Sequence, residues 1–232
     1  MIRDIISKIN DTIKGVKPSD KIHILLDNGH SSSKAKNITP GKRTPYLTSG
    51  ALPALEMYEG DFNRDIVQRL SAKLKDNGYN VHIIVPEDED ITLGERVKRV
   101  NKLCKTYGTG NCIFVSVHSN AAGGGKQWMG AQGFSVHICQ GASKKSELMA
   151  NLIFDAAKED GHFKMRKPTQ TQKYWVNNFY VIKNTNCPAI LSESGFYDNV
   201  NDCQYLLTDQ ARERIAEYHY KALVEYIKKI VK

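Results

Sequence analysis

Short apolar runs alternate with amphipathic helical stretches along nearly the whole chain, and no other feature limits its fold as strongly. "KIHILLDNGH" predicts a strand closed by a polar turn at Asn28 and Gly29. "GDFNRDIVQRLSAKLKDNGY" predicts a helix with Phe62, Ile66, Leu70 and Leu74 on one face and Asn77-Gly78 as its stop. "NVHIIVP" then reads as a strand, and "TLGERVKRVNKLCKTYG" as a helix capped by Thr92, with Glu95 three residues on. The pattern continues through the strands "CIFVSVHSN" and "FSVHICQ", the helix "ASKKSELMANLIFDAAKED", the short strand "YVIKN", the strand "PAILSES" and a long closing helix from Leu207. Such alternation predicts an α/β fold: an open, mostly parallel twisted sheet with helices on both faces. Residues 21–232 read as a single domain, preceded at 1–20 by an amphipathic helix and linker in which Ile2, Ile5, Ile6, Ile9 and Ile13 fall at helical spacing.

Charges interrupt the apolar residues of that first segment, so it does not read as a signal peptide, and synthesis in the cytoplasm is expected. No stretch approaches the roughly 20 apolar residues of a membrane span. The net charge of +8 favours an anionic partner: nucleic acid, a membrane surface or an acidic polymer such as bacterial cell wall. Nucleic acid is disfavoured, because no helix or sheet clusters arginine with interleaved aromatics. The five cysteines show no CxxC pair and an odd count, and read as reduced.

Ligand sites of open α/β sheets form beyond the carboxyl ends of the strands. His30 follows "ILLDNG", His118 ends "IFVSV", and Glu193 lies near the end of "AIL"; Glu59 opens the helix beginning "EGDFNRD". Two histidines and a carboxylate with one position open make a catalytic zinc set, and a further carboxylate can serve as base or acid toward the water held there. Each residue also has a plainer reading. His30 fits a surface turn, Glu59 a helix N-terminus favoured by the macrodipole, and Glu193 a partner for a buried arginine; Glu56 stands close enough to compete with Glu59. His23, His82, His137, His162 and His219 have no comparable setting and read as structural.

"LLDNGH", "EGDFN", "FVSVHSNA" and "PAILSESGF", in that order, resemble the zinc-dependent N-acetylmuramoyl-L-alanine amidases of the Amidase_3 family. "TLGERVKRVNK" and "YVIKNTNCPAIL" extend the likeness over nearly everything from Lys21 onward. The resemblance implies that His30, Glu59 and His118 bind Zn2+, that Glu193 is the catalytic glutamate, and that the partner is peptidoglycan or muropeptides. Asn28 stands where the family has proline, Ser31 and Ser32 where it has glycine, and Ser194 where it has an apolar residue; none of these removes a ligand. The polar insertion after His30, from Ser31 to Ser49, and the Gly-rich loop from Ala121 to Gly133 are expected to be mobile walls outside the metal shell. Arg43, Asn120 and Trp128 are the candidate substrate contacts. Rival readings are a zinc exopeptidase of similar fold and a non-catalytic peptidoglycan-binding module. A wall hydrolase without a signal peptide fits a phage endolysin, or a bacterial enzyme exported by another route.

Overall fold

The computed structural model describes residues 21–45 and 55–231; the expected N-terminal helix at 1–20 lies outside them. Six strands form one sheet: β1 (His23–Asn28), β2 (Asn80–Ile83), β3 (Cys112–Asn120), β4 (Phe134–Ile138), β5 (Trp175–Val176) and β6 (Ala189–Phe196), in the order β2-β1-β3-β6-β4-β5. The strands β2, β1, β3 and β6 run parallel, whereas β4 is antiparallel to β6 and β5 follows β4. The helices are α1 (Glu59–Asp76), α2 (Leu93–Tyr107), α3 (Lys144–Asp160), α4 (Tyr180–Lys183), α5 (Val200–Leu206) and α6 (Asp209–Ile230). Fold class is as the sequence predicts. Among the described residues no helix is long and apolar enough to cross a membrane.

Alternation along the strands assigns each apolar side chain to a face. Ile24, Leu26, Val115, Val117 and Ile190 pack beneath α1, α3 and α6, where Phe62, Ile66, Leu70, Met149, Ile153, Ile215 and Leu223 are buried. Leu25, Phe114 and Leu191 point the other way, toward Val97 and Val100 of α2 and Val181 and Ile182 of α4. Three long helices thus cover one face, while a helix of 15 residues and a single turn of four cover the other. All five cysteines are free, and four of them are buried.

Residues 180–183 form a helical turn instead of the predicted strand. Four residues cannot display a period that separates the two states, and burial of Val181 and Ile182 is served equally by either. Helix ends follow their local chemistry. Thr92 Oγ1 accepts from Glu95 N at 3.2 Å and Thr208 Oγ1 from Ala211 N at 3.1 Å, each satisfying a first-turn donor.

His219 of α6 ties the long helix to the sheet beside the strand end. Its Nδ1 lies 2.8 Å from the Ile215 carbonyl, which cannot donate, so Nδ1 carries the proton and Nε2 accepts from Ser192 Oγ at 2.9 Å. Burial pushes its pKa down to about 4. The unfolded chain therefore takes up this proton near pH 6.5 and the native state only near pH 4, so the stability contribution is complete above 6.5 and drains away as pH falls toward 4. His219→Gln should flatten that loss. Urea midpoints at pH 7 and pH 4.5 should converge in the variant relative to the wild type, and equal acid sensitivity in both would exclude His219 as the titrating group.

Candidate metal centre

β1 ends in Asp27 and Asn28, and the chain then turns at Gly29 and His30. His30 has φ of 66°, the left-handed region that a non-glycine residue rarely occupies, at a cost on the order of 1–3 kcal/mol. Arg64 Nη1 and Arg96 Nη2 donate to its carbonyl at 2.8 and 3.4 Å and hold the turn. The conformation sets His30 Nε2 3.3 Å from Glu59 Oε2. Gly29 has no substitute here, because a Cβ would overlap the imidazole of His118.

His118 lies on β3 with Ser116 two residues before it, and across the ladder Glu193 of β6 is its register partner, so both project from the thinly covered face. Its ring is held at both nitrogens: Nδ1 is 2.9 Å from Glu59 Oε1, and Nε2 is 3.1 Å from Ser116 Oγ. Ser116 in turn donates to Asp27 Oδ2 at 2.7 Å, and Asp27 Oδ1 accepts from Arg96 Nη1 at 2.6 Å. With the Ser116 proton committed to Asp27, its oxygen accepts from Nε2–H of His118. That leaves Nδ1 as the nitrogen facing Glu59. Just beyond, the β3–β6 register shifts between His118 and Asn120, which ends regular pairing at the rim.

Glu59 opens α1, where its own N–H donates to the Lys42 carbonyl at 2.9 Å. Its side chain is 1% exposed, whereas that of Glu56 is 66% exposed and lies 3.3 Å from Arg43. Glu59 is therefore the carboxylate that joins the histidines. Its Oε2 has the His30 imidazole and the Lys42 ammonium as neighbours, at 3.3 and 3.6 Å, but no hydrogen-bond partner. A buried carboxylate with one oxygen toward each imidazole, and one of the two unpartnered, suits a cation. His30, Glu59 and His118 each offer a ligand atom, all within 4.8 Å of one another. This donor set of two neutral nitrogens and one oxygen fits zinc.

The electrostatics separate the two carboxylates. Burial alone would raise Glu59, but His30 and His118 hold it well below the usual carboxylate range. Burial pushes Glu193 up to about 8; the charge of His118 opposes the rise and that of Glu59 adds to it. Burial would lower His118, but the bond to Glu59 outweighs it and raises the imidazole. His30 is lowered, chiefly by burial. Two cavities meet over these groups. One, of about 430 Å³, has Ile91, Leu93, Phe179 and Leu191 in its wall; the other, of about 350 Å³, is bounded by Asn120, Ala121 and Tyr197. His118, Glu193 and Lys42 line both.

A model of the N-acetylmuramoyl-L-alanine amidases, Amidase_3, matches residues 24–225. The chain belongs to the Amidase_3 family. It is 24% identical over 204 residues to the N-acetylmuramoyl-L-alanine amidase CwlM of Bacillus licheniformis, covering 87% of this chain and 67% of that protein. It is 25% identical over 169 residues to the endolysin of Bacillus phage SPP1, covering 71% of this chain but only 58% of the endolysin. The N-acetylmuramoyl-L-alanine amidase from Clostridium difficile 630 shares the fold with a TM-score of 0.71 at 22% identity, over 90% of this chain and 98% of that one.

Of the substrate contacts expected in this Amidase_3 chain, only Asn120 borders the cavities at the triad. Arg43 donates to Tyr58 Oη at 2.8 Å and to Glu56 at 3.3 Å, with its guanidinium over the Tyr58 ring. Trp128 is half-buried and packs against the main core. The described part of the insertion is a hydrogen-bonded strap. Ser31 and Thr39 exchange hydrogen bonds, Ser33 N donates to Asp61, and Ser31, Ser32, Ala35 and Thr44 are buried. Residues 46–49 of the insertion lie outside the described part.

Asp27, Ser116 and Lys42 were not singled out from sequence. The signal for the first two was present: a polar residue two places before His118 shares its face, and its register partner on β1 is Asp27. Such groups behind a ligating histidine typically govern metal affinity by about 10–100-fold. Ser116→Ala should therefore lose zinc affinity of about that order with the fold intact, and Gly29→Ala should lose more by displacing the ring. Competition against a chromogenic chelator, alongside circular dichroism, measures both. Unchanged affinity in Ser116→Ala would remove the relay from the site.

Proposed function

We propose that this chain hydrolyses the amide between N-acetylmuramic acid and L-alanine in peptidoglycan, as a zinc-dependent amidase with Glu193 as its proton carrier. The observation that carries the reading is the cluster of half-buried His30 and His118 around buried Glu59, beside Glu193 at the meeting point of two cavities. Membership of the amidase family supports it.

His30, Glu59 and His118 would hold the metal, and zinc so held supplies Lewis acidity that polarises the scissile carbonyl and makes water more acidic. The chain's own residues do the rest. Ser116 and Asp27 keep His118 in one tautomer and one orientation, and Arg64 and Arg96 keep the His30 backbone in its left-handed turn. Glu193 enters the reaction as the carboxylate. It accepts a proton from the attacking water and passes it to the amide nitrogen, so that the amine leaves neutral instead of as an anion. A carboxylate whose pKa is raised toward neutrality is a stronger base than an ordinary one and takes the water proton more readily.

Wall lysis or remodelling is the setting this chemistry implies, and the net charge of +8 favours an anionic wall. The relatives named above include a bacterial amidase and a phage endolysin, and an endolysin role is the narrower form of the proposal.

Mass spectrometry of purified peptidoglycan, with and without a chelator, tests the reaction. Expected products are stem peptides with a new L-alanine amino end and intact sugar chains, abolished by the chelator. Amino acids trimmed from stem termini would instead indicate an exopeptidase, and zinc binding without turnover a binding module. Glu193→Gln should lose about 10²–10⁴-fold in kcat while zinc content and melting temperature stay near wild type. A Glu193→Gln enzyme that binds zinc, stays folded and turns over normally would defeat the mechanism. Glu59→Ala should lose the metal and Glu56→Ala should keep it.

A further inference from the structure

Lys42 lies on the strap between His30 and Glu59 and is fixed from several sides. Its carbonyl accepts from Glu59 N at 2.9 Å, and the preceding Gly41 carbonyl accepts from Tyr197 Oη at 3.1 Å. Arg43 beside it bridges antiparallel to Tyr58. The Gly-rich loop presses onto this backbone so closely that a Cβ at Gly125 would overlap the Gly41 and Arg43 carbonyls. A rigid mount therefore carries a flexible cation, whose side chain is 38% exposed and whose Nζ lies 3.6 Å from Glu59 Oε2.

That contact is with a candidate metal ligand. When Glu59 binds a dication its charge is spent there, and the ammonium loses its counterion. Glu59 and Glu193 together then balance only the dication, so Lys42 leaves a positive surplus at the junction of the cavities. Neighbouring guanidinium groups are engaged in the fold: Arg96 with Asp27, Arg64 with the carbonyls of His30 and Glu87. Asp90 adjoins the apolar cavity and is exposed, which disfavours an anion on that side. The surplus charge is best met by an anionic group of the substrate lying against the strap.

Building on the amidase reading, we propose that Lys42 is a specificity-determining residue that pairs with a carboxylate of the stem peptide, next to the scissile amide. An acidic residue after L-alanine in the stem would present either a free carboxylate or the corresponding carboxamide. Lys42 selects the free acid. A charge-assisted bond of this kind is worth about tenfold or more in affinity.

The test uses the full chain, zinc-loaded and carrying Glu193→Gln so that ligands persist. Calorimetry compares two muramyl tripeptides that differ only in a carboxylate or carboxamide at the second stem residue. The acid should bind about tenfold tighter. Lys42→Met should bring the ratio to near one without altering zinc content, and Lys42→Arg should largely preserve it. With Glu193 intact, Lys42→Met should raise KM for the acid and leave kcat little changed. Equal affinity for the two ligands, or a preference that survives Lys42→Met, overturns the role of Lys42 and leaves the amidase reading standing. Failure of the zinc-loaded protein to bind either ligand overturns the amidase reading, and the role of Lys42 with it.

Discussion

The ion pair between Arg96 and Asp27 is the contact from which the strand-end architecture hangs. Its side chains are 3% and 0% exposed and meet at 2.6 Å. One guanidinium collects Asp27, the Asn28 carbonyl, the His30 carbonyl and the Ile91 carbonyl. The other Asp27 oxygen takes the Ser116 hydroxyl, which orients His118. Burying two charges is a poor way to gain stability, since desolvation offsets the attraction, yet removing one partner costs about 3–5 kcal/mol. What the pair contributes is position. It fixes the turn that carries one histidine and the tautomer of the other, from a single point at the end of β1.

That point lies on the sheet face with the thinner cover. α1, α3 and α6 seal the opposite face with long apolar stripes, whereas α2 and the single turn α4 leave the carboxyl ends of β1, β3 and β6 open. Asp27, Ser116, His118 and Glu193 fall on this face because strand alternation sends them there. The same strands that bury Leu26, Val117 and Ile190 on the sealed side thereby present polar groups to a cavity on the other. A rigid, hydrogen-bonded sheet holds these groups more precisely than loops would.

Much of this was legible in the sequence. Long periodic segments such as Phe62 to Leu74, and apolar strands leading to His30 and His118, declare themselves through spacing alone. Short elements did not. The turn at Tyr180 to Lys183 and the two-residue strand at Trp175 and Val176 are stabilised by tertiary contacts and carry no period of their own. Serine and glycine content made the segment from Ser31 onward look mobile, yet its hydroxyls are spent on local bonds such as Ser31 with Thr39. Composition cannot reveal that. Lys42 was invisible for a related reason: one lysine among many gains meaning only when the strap folds back beside Glu59. The choice between Glu56 and Glu59 likewise rested on burial, which three residues of separation could not supply.

The opening of α1 and the middle of β6 each place a glutamate where an apolar residue would be cheaper, and the two are treated differently. Glu59 Oε1 accepts from the Ser119 amide and, at 3.5 Å, from Asn63, and His118 Nδ1 stands 2.9 Å from it. Bonds to the charged form stabilise it, so Glu59 stays anionic well below neutrality. Glu193 Oε2 is buried with no hydrogen-bond partner, and desolvation pushes its pKa up to about 8. Environments that drive two neighbouring carboxylates apart assign them separate tasks. One is a fixed negative charge suited to holding a cation; the other is a carboxyl that burial makes harder to ionise. Burial without a partner is costly for a structural residue, and such a glutamate persists where its work requires it bare. In the proposed reaction that work is proton transfer, and the unpartnered oxygen of Glu193, facing the cavity junction beside His118, is the feature that the rest of the strand end leaves room for.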